Sequence, residues 1–249
     1  MNPATEITKT LQALLPFKDQ TKLPEAWARV LNTPPYSADF YLGMSAIISK
    51  YDELEGAIQA ADLDEVEARL YGRAATHLRQ FIEPRTASQF SVAQLRDAQS
   101  YIDTVYLARR VLPEQLVPEV NKITLDTISQ AISELLAMLG ECVPPPDPKL
   151  ERLLRANLAT LMMAIASFDV LGANGVSRIF GTVAAEFTHF ERTSPPTTET
   201  NSSLFKRAIA IVKQVGAAVV WCHATSSGAA GLLEEGSKIS EAIEAVLPK

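Results

Sequence analysis

Glycine is scarce in this chain: 11 residues in 249, about 4% against an average near 7%. Tight βα loops and hairpins consume glycine, so the shortage argues for helices rather than sheet. Cysteine is rarer still. Cys142 and Cys222 are the two present, with no C-x-x-C and no zinc-site spacing, and two distant cysteines do not imply a disulfide. A reducing, cytosolic setting is therefore expected, without cofactor or metal. Concentrated positive charge is missing as well. The net charge is −6 and the Lys and Arg residues are scattered, whereas a nucleic-acid binder needs a basic stripe to displace counterions; no nucleic-acid partner is expected. The opening "MNPATEITKTLQALLPF" mixes Glu6 and Lys9 into an amphipathic pattern, unlike a signal peptide. The sequence contains no G-x-G-x-x-G, Walker A, H-E-x-x-H, G-x-S-x-G or EF-hand pattern.

What is present is proline, used as punctuation, with apolar periodicity between the stops. Asn2 and Pro3 suit an N-cap and first helical position, and Pro16 stops that helix. "LPEAWARVL" restarts at Pro24. From Ser37, Phe40, Tyr41, Met44, Ile47, Ile48, Tyr51, Leu54 and Ile58 recur at three- and four-residue steps, one stripe turned toward a core. The next helix is expected to begin at Asp62 with Glu65 reaching back. Its inward stripe reads Leu63, Val66, Leu70, Ala74, His77, Leu78 and Phe81. "FSVAQL" carries a capping box in Ser91 and Gln94, starting a helix expected to reach Leu112. Another helix runs to about Gly140, with Leu125, Ile128, Ile132, Leu135, Leu136 and Leu139 inward.

After the stiff "CVPPPDP" corner, Asp147 and Pro148 start a helix reaching about Leu171. "GANG" breaks it, and a shorter helix spans about Val176 to Phe190. "RTSPPTTETNSS" has no apolar anchor and reads as a mobile loop. Helices from about Leu204 and from Ser237 follow. The fold class is all-α: a multi-helix bundle of roughly nine or ten helices with proline-rich corners and little or no sheet. An N-terminal bundle (1–141), a proline-rich corner (142–148) and a C-terminal part (149–249, mobile loop 192–203) are expected to pack as one unit.

"QVGAAVVWCHATSSGAAGLLEE" is free of charge until Glu234. A helix apolar nearly all round is either buried in a bundle or spans a membrane. Spanning takes about 20 predominantly apolar residues, and Gln214, His223, Thr225, Ser226 and Ser227 interrupt this window. A buried helix is the expectation, and contact with lipid the lesser alternative.

The densest charge is acidic: Asp52, Glu53, Glu55, Asp62, Asp64, Glu65 and Glu67. Such a run forms a solvated helix face or meets a basic partner. His77 falls within an apolar stripe, where a histidine is ordinarily a hydrogen-bonded core or boundary residue. Glu186 and His189 form a single Glu-x-x-His, while di-metal bundles use two copies plus further glutamates. Ser177 and Arg178 are expected at a helix start. Trp27, Tyr36, Tyr101 and Tyr106 are candidates for a contact surface, although core suits each taken singly. The expected function is a non-enzymatic helical protein-interaction module (adaptor, immunity or regulatory protein) using the acidic residues. A helical enzyme or small-ligand carrier near His77 or Glu186 and His189 is the alternative, and a membrane-perturbing effector a further one. Oligomeric state stays open.

Overall fold

A computed structural model describes residues 2–112 and 122–226, with the side chains of 2–112 and 125–218. Among these residues the fold is all-α, with eleven α-helices and no strand; Lys22 and Ser91 form an isolated antiparallel bridge. The chain divides into two compact units, one comprising Met1–Gln115 and Ala166–Gly175, the other Leu116–Ile165 and Val176–Lys249. The proline-rich stretch 142–148 thus falls inside the second unit, and a ten-residue segment from beyond it belongs to the first. The helix expected from Ser237 and the side chains of Trp221, Cys222 and His223 lie outside the described residues.

In the first unit, α1 (Pro3–Gln12) starts as its sequence indicates. Asn2 accepts from the Ala4 N–H at 3.0 Å, with Pro3 in the first turn. The same amide donates to the Leu112 carbonyl at 2.9 Å and to that of Arg109 at 3.2 Å, so one cap also fixes the far end of the unit. Helix α2 (Leu23–Val30) sinks Trp27, fully buried, and its Nε1–H donates to the Phe81 carbonyl at 2.9 Å. Trp27 is therefore core, its one polar atom satisfied. Helix α3 (Ala38–Ala60) is capped by Ser37 and buries Phe40, Met44, Ile47, Tyr51, Leu54 and Ile58, as the periodicity requires. Tyr41 of that stripe lies exposed.

Helix α4 (Glu65–Arg79) departs from expectation twice. Its cap is Asp64, which accepts from the Glu67 N–H at 2.7 Å, not Asp62. "DLDEVE" offers Asp-x-x-Glu in two registers, and the chain stays extended through Ala61 before helix begins. The buried face is Tyr71, Ala74, Ala75 and Leu78, which leaves Val66 and Leu70 outside, 74% and 52% exposed. The short α5 (Pro84–Ala87) follows. The Ser91–Gln94 capping box forms and starts α6 (Val92–Asp97), but a kink at Ala98 separates it from α7 (Gln99–Leu107), and a 3-10 turn ends the run at Arg110. Helices α1, α3, α4 and α7 pack together as the core of this unit.

The second unit holds α8 (Lys122–Glu141), α9 (Pro148–Ala166), most of α10 (Phe168–Thr193) and α11 (Glu199–Ser226). Ile128, Ile132, Leu135 and Leu139 are buried on α8, while Leu125 and Leu136 are only half-buried. Asp147 caps α9 through the Lys149 and Leu150 N–H groups. Rings of Phe187, Phe190 and Phe205 cluster, with centroids 5.7 and 5.8 Å from Phe205. On α11, Leu204, Phe205, Ala208, Ile209, Ile211, Val212 and Val215 are buried and Lys206, Arg207 and Lys213 exposed. No helix among the described residues is long and apolar enough to cross a membrane. The loop expected at 192–203 shrinks to residues 194–198, because Thr198 accepts from the Asn201 N–H and caps α11. Buried Asn201 accepts in turn from the Asp147 N–H at 3.2 Å, a polar anchor where no apolar one exists.

The GANG break is real but sits at its first glycine. Gly172 has φ 67 and ψ 178 within α10, a conformation essentially reserved for glycine, and α9 ends at Ala166 rather than near Leu171. A Cβ at Gly172 would lie 3.1 Å from the Lys50 Cε and 3.4 Å from a Glu6 carboxylate oxygen. Lys50 is itself 5% exposed, its ammonium 3.1 Å from Glu6 and donating to the Val170 carbonyl at 2.9 Å. Removing one member of a buried pair leaves the other charge uncompensated, a loss of about 3–5 kcal/mol when burial is complete. Glu6 keeps some solvent contact, so Lys50→Met is expected to lose about 2–3 kcal/mol by chemical denaturation. Gly172→Ala is expected to lose about 1–3 kcal/mol through backbone strain. Unchanged denaturation midpoints would refute both assignments.

Candidate functional site

The acidic run predicted from sequence divides into two sets. Asp52, Glu53 and Glu55 project from α3 and are engaged within the first unit. Arg79, at the end of α4, reaches Glu55 at 2.8 Å, Asp52 at 3.4 Å and Glu83 at 2.6 Å. Its guanidinium also lies 5.7 Å from the Tyr51 ring centroid. The hydrogen bond to Glu83 and the Glu55 and Asp52 charges hold Arg79 above its ordinary pKa, against the opposing effect of burial. One cation gathering two carboxylates of α3 and a third beyond α4 is a network, worth more than an isolated surface pair. Glu53 accepts from the Asn174 amide at 3.2 and 3.3 Å, which ties the 166–175 segment to α3.

Asp62, Asp64, Glu65 and Glu67 form the other set, at the start of α4. Asp62, Asp64 and Glu65 are exposed and Glu67 is half-buried. Glu65 pairs with Arg69 at 2.6 Å, both side chains largely in solvent, worth only a few tenths of a kcal/mol. Among the described residues, Asp62, Asp64 and Glu67 make no ion pair. These carboxylates lie at the N-terminal end of α4, the exposed Val66 and Leu70 follow, and Arg69 and Arg73 flank Leu70, so the outer face of early α4 has an apolar centre with acid at one end and base at the other.

His77 is half-buried at the boundary between α4 and α7. Its ring stacks on Tyr101 with centroids 4.0 Å apart and meets Phe81 edge-on at 5.9 Å. The Gln80 amide lies 3.2 Å from its Nε2. Beside it an open cleft of about 480 Å³ is lined by Ala68, Arg69, Gly72, Arg73, Thr76, His77 and Tyr101. The described lining of this cleft contains no Asp, Glu or Cys. Glu186 and His189 belong to the second unit, on exposed parts of α10. Glu186 accepts from the buried Asn157 amide at 2.8 Å, and the His189 carbonyl takes the Thr193 hydroxyl. His77 lies in the first unit, so these candidates form no common site within either. Among the described residues no three His, Cys, Asp or Glu side chains gather as a metal site. Ser177 and Arg178, expected at a helix start, lie inside α10 because the helix resumes directly after Gly172. Tyr36 and Tyr101 are exposed aromatics, and Tyr106 is half-buried under the Arg109 guanidinium, 3.9 Å from its centroid.

Sequence reasoning passed over two charged residues. Lys50 stands three residues after Ile47 and four before Leu54, on the buried side of α3. A lysine at a stripe position is a signal that was available. Arg79 gave no such signal, since its three partners are 27, 24 and 4 residues away along the chain. Comparison with protein-family models, with curated proteins and with solved structures returned no match.

Tyr51 supplies a test of the Arg79 network. Its hydroxyl is buried and has no hydrogen-bond partner among the described residues. Burial, reinforced by the Glu55 charge and opposed by Arg79, pushes its pKa well above the ordinary tyrosine value. The folded chain therefore keeps the Tyr51 proton at pH values where the unfolded chain, titrating near pH 10, has released it. Stability from this group is complete below about pH 10 and falls as pH rises beyond it. Tyr51→Phe is expected to flatten that alkaline decline and, by removing an unsatisfied hydroxyl, to gain about 1 kcal/mol at neutral pH. Denaturation midpoints of both chains between neutral and alkaline pH measure it; parallel curves would exclude the account.

Proposed function

We propose that the chain is a non-enzymatic helical interaction module, an adaptor, immunity or regulatory protein of the cytosol, whose partner face is the outer surface of early α4. The observation that carries this reading is the exposure of Val66 and Leu70, 74% and 52%, behind a cluster of carboxylates at the start of the helix. Interfaces are built in this way, with an apolar centre for affinity and a polar rim for orientation. The seven acidic residues do not serve equally. Asp52, Glu53 and Glu55 hold α3 to Arg79 and Asn174. Asp62, Asp64, Glu65 and Glu67 are the ones offered to a partner of opposite charge. Arg69 and Arg73 follow on the same helix, so the face changes sign along its length.

Solvent-facing substitutions change stability by less than about 0.5 kcal/mol, which makes the reading testable without unfolding the chain. Val66→Asp combined with Leu70→Asp is expected to leave the melting temperature within a few degrees of wild type. Recovery of cross-linked proteins by tagged bait is expected to fall at least fivefold. Reversal at Asp62 and Glu65 to lysine is expected to weaken recovery in a salt-dependent way. Equal recovery of the same proteins by wild type and both variants removes α4 as the partner face.

A further inference from the structure

The outer face of α4 carries its features in a definite order. Asp62, Asp64 and Glu65 stand at the N-terminal end, Val66 and Leu70 in the middle, and Arg69 and Arg73 one and two turns after Glu65. At 100° per residue, Val66, Leu70, Arg73 and His77 share one stripe, with Glu65 and Arg69 beside it. The buried Tyr71, Ala74, Ala75 and Leu78 centre about 120° round the helix from that stripe. A face that reads acid, apolar, base becomes its own complement when turned end for end.

We infer that this face pairs with the same face of a second copy, the two α4 helices antiparallel about a twofold axis near Ala68. The inference rests on the reading of α4 as the partner face and names the partner. With the axis at Ala68, Val66 of each copy meets Leu70 of the other. Arg73 stands about 7.5 Å beyond the axis, at 1.5 Å per residue. It comes level with the N-terminal end of α4 in the second copy, where Asp64 is the cap and Asp62 lies just before it. Among the described residues neither Arg73 nor Asp62 has an ion-pair partner, while Asp64 already caps α4 through the Glu67 N–H, so Arg73 and Asp62 are the pair left to meet. The contact is isologous and closes at two copies. A parallel pairing sets acid against acid and base against base, and a uniformly basic partner helix meets Arg69 and Arg73. Charge order thus selects the antiparallel copy.

Sedimentation equilibrium of the full chain tests this over roughly 5–500 µM, the range suited to a small contact. Wild type is expected to shift from monomer to dimer mass with concentration, and less so as salt rises from about 0.05 to 0.5 M. Leu70→Glu is expected to weaken association at least tenfold while its circular dichroism stays that of wild type. Arg73→Glu and Asp62→Lys are each expected to be monomeric alone and to form a dimer when mixed. In that mixed dimer the introduced glutamate of one chain meets the introduced lysine of the other. At the opposite end the native Asp62 of the first chain meets the native Arg73 of the second. A wild-type chain monomeric throughout, a dimer that Leu70→Glu leaves intact, or variants that stay monomeric on mixing would each overturn self-pairing. The partner-face reading is judged separately by recovery of other proteins. It survives a monomeric wild type if that recovery still depends on Val66 and Leu70, and falls if it does not.

Discussion

An ammonium group inside a helical core has to be compensated where it stands, and the first unit is arranged around that requirement. Lys50 is 5% exposed on the inner side of α3, where an isolated charge costs several kcal/mol. Compensation comes from Glu6 on α1 and the Val170 carbonyl, at 3.1 and 2.9 Å. That carbonyl is close enough because the backbone breaks at Gly172, and Thr10 on α1 donates to it as well, at 3.3 Å. One cation therefore links α1, α3 and a segment more than a hundred residues later in sequence. Asn174 on Glu53 and the close approach of Gly175 to Ala46, where a Cβ would lie 3.2 Å away, extend the same contact.

Local signals in the sequence translated into structure wherever the deciding interaction was itself local. Asn2, Asp147 and the Ser91–Gln94 box all cap the helices they were expected to cap, and Ser37 caps the helix expected to run from it, because each partner lies within three residues. The α3 stripe is buried for the same kind of reason: spacing alone sets which side faces inward. Legibility ended where two local solutions compete or where a distant residue decides. "DLDEVE" holds two overlapping caps, of which Asp64 is used, and packing against distant helices turns Tyr71, Ala74, Ala75 and Leu78 inward and leaves Val66 and Leu70 outside. Asn201 ordered a stretch with no apolar anchor through a hydrogen bond to the Asp147 N–H, a partner that hydropathy does not register.

The candidate site was legible as a charge run and not as a surface. Seven carboxylates in sixteen positions suggest one acidic face, yet α3 and α4 turn them to different tasks. Arg79 takes Asp52 and Glu55 into a network with Glu83, and that network also sits against Tyr51. Charges so engaged are poor recognition elements, because a partner has to compete with bonds already formed. Asp62, Asp64 and Glu67 carry no such obligation to a cation among the described residues. What separates structural from presentable carboxylates is the position of one arginine, which only the folded chain reveals.

The strength of any contact through α4 follows from its size. Full burial of a valine or leucine side chain contributes at most about 1.5–3 kcal/mol, and both residues here are already part-buried. Association has to offset roughly 4–15 kcal/mol of lost translational and rotational freedom. A face whose apolar centre is two side chains does not reach nanomolar affinity alone. Its rim charges set which partner and which direction more than how tightly it holds. Weak, orientation-selective contact of this kind suits a module that exchanges partners. The salt-sensitive part of such a contact is the part that distinguishes one partner from another, since exposed ion pairs are screened within about 10 Å at moderate ionic strength and apolar burial is not.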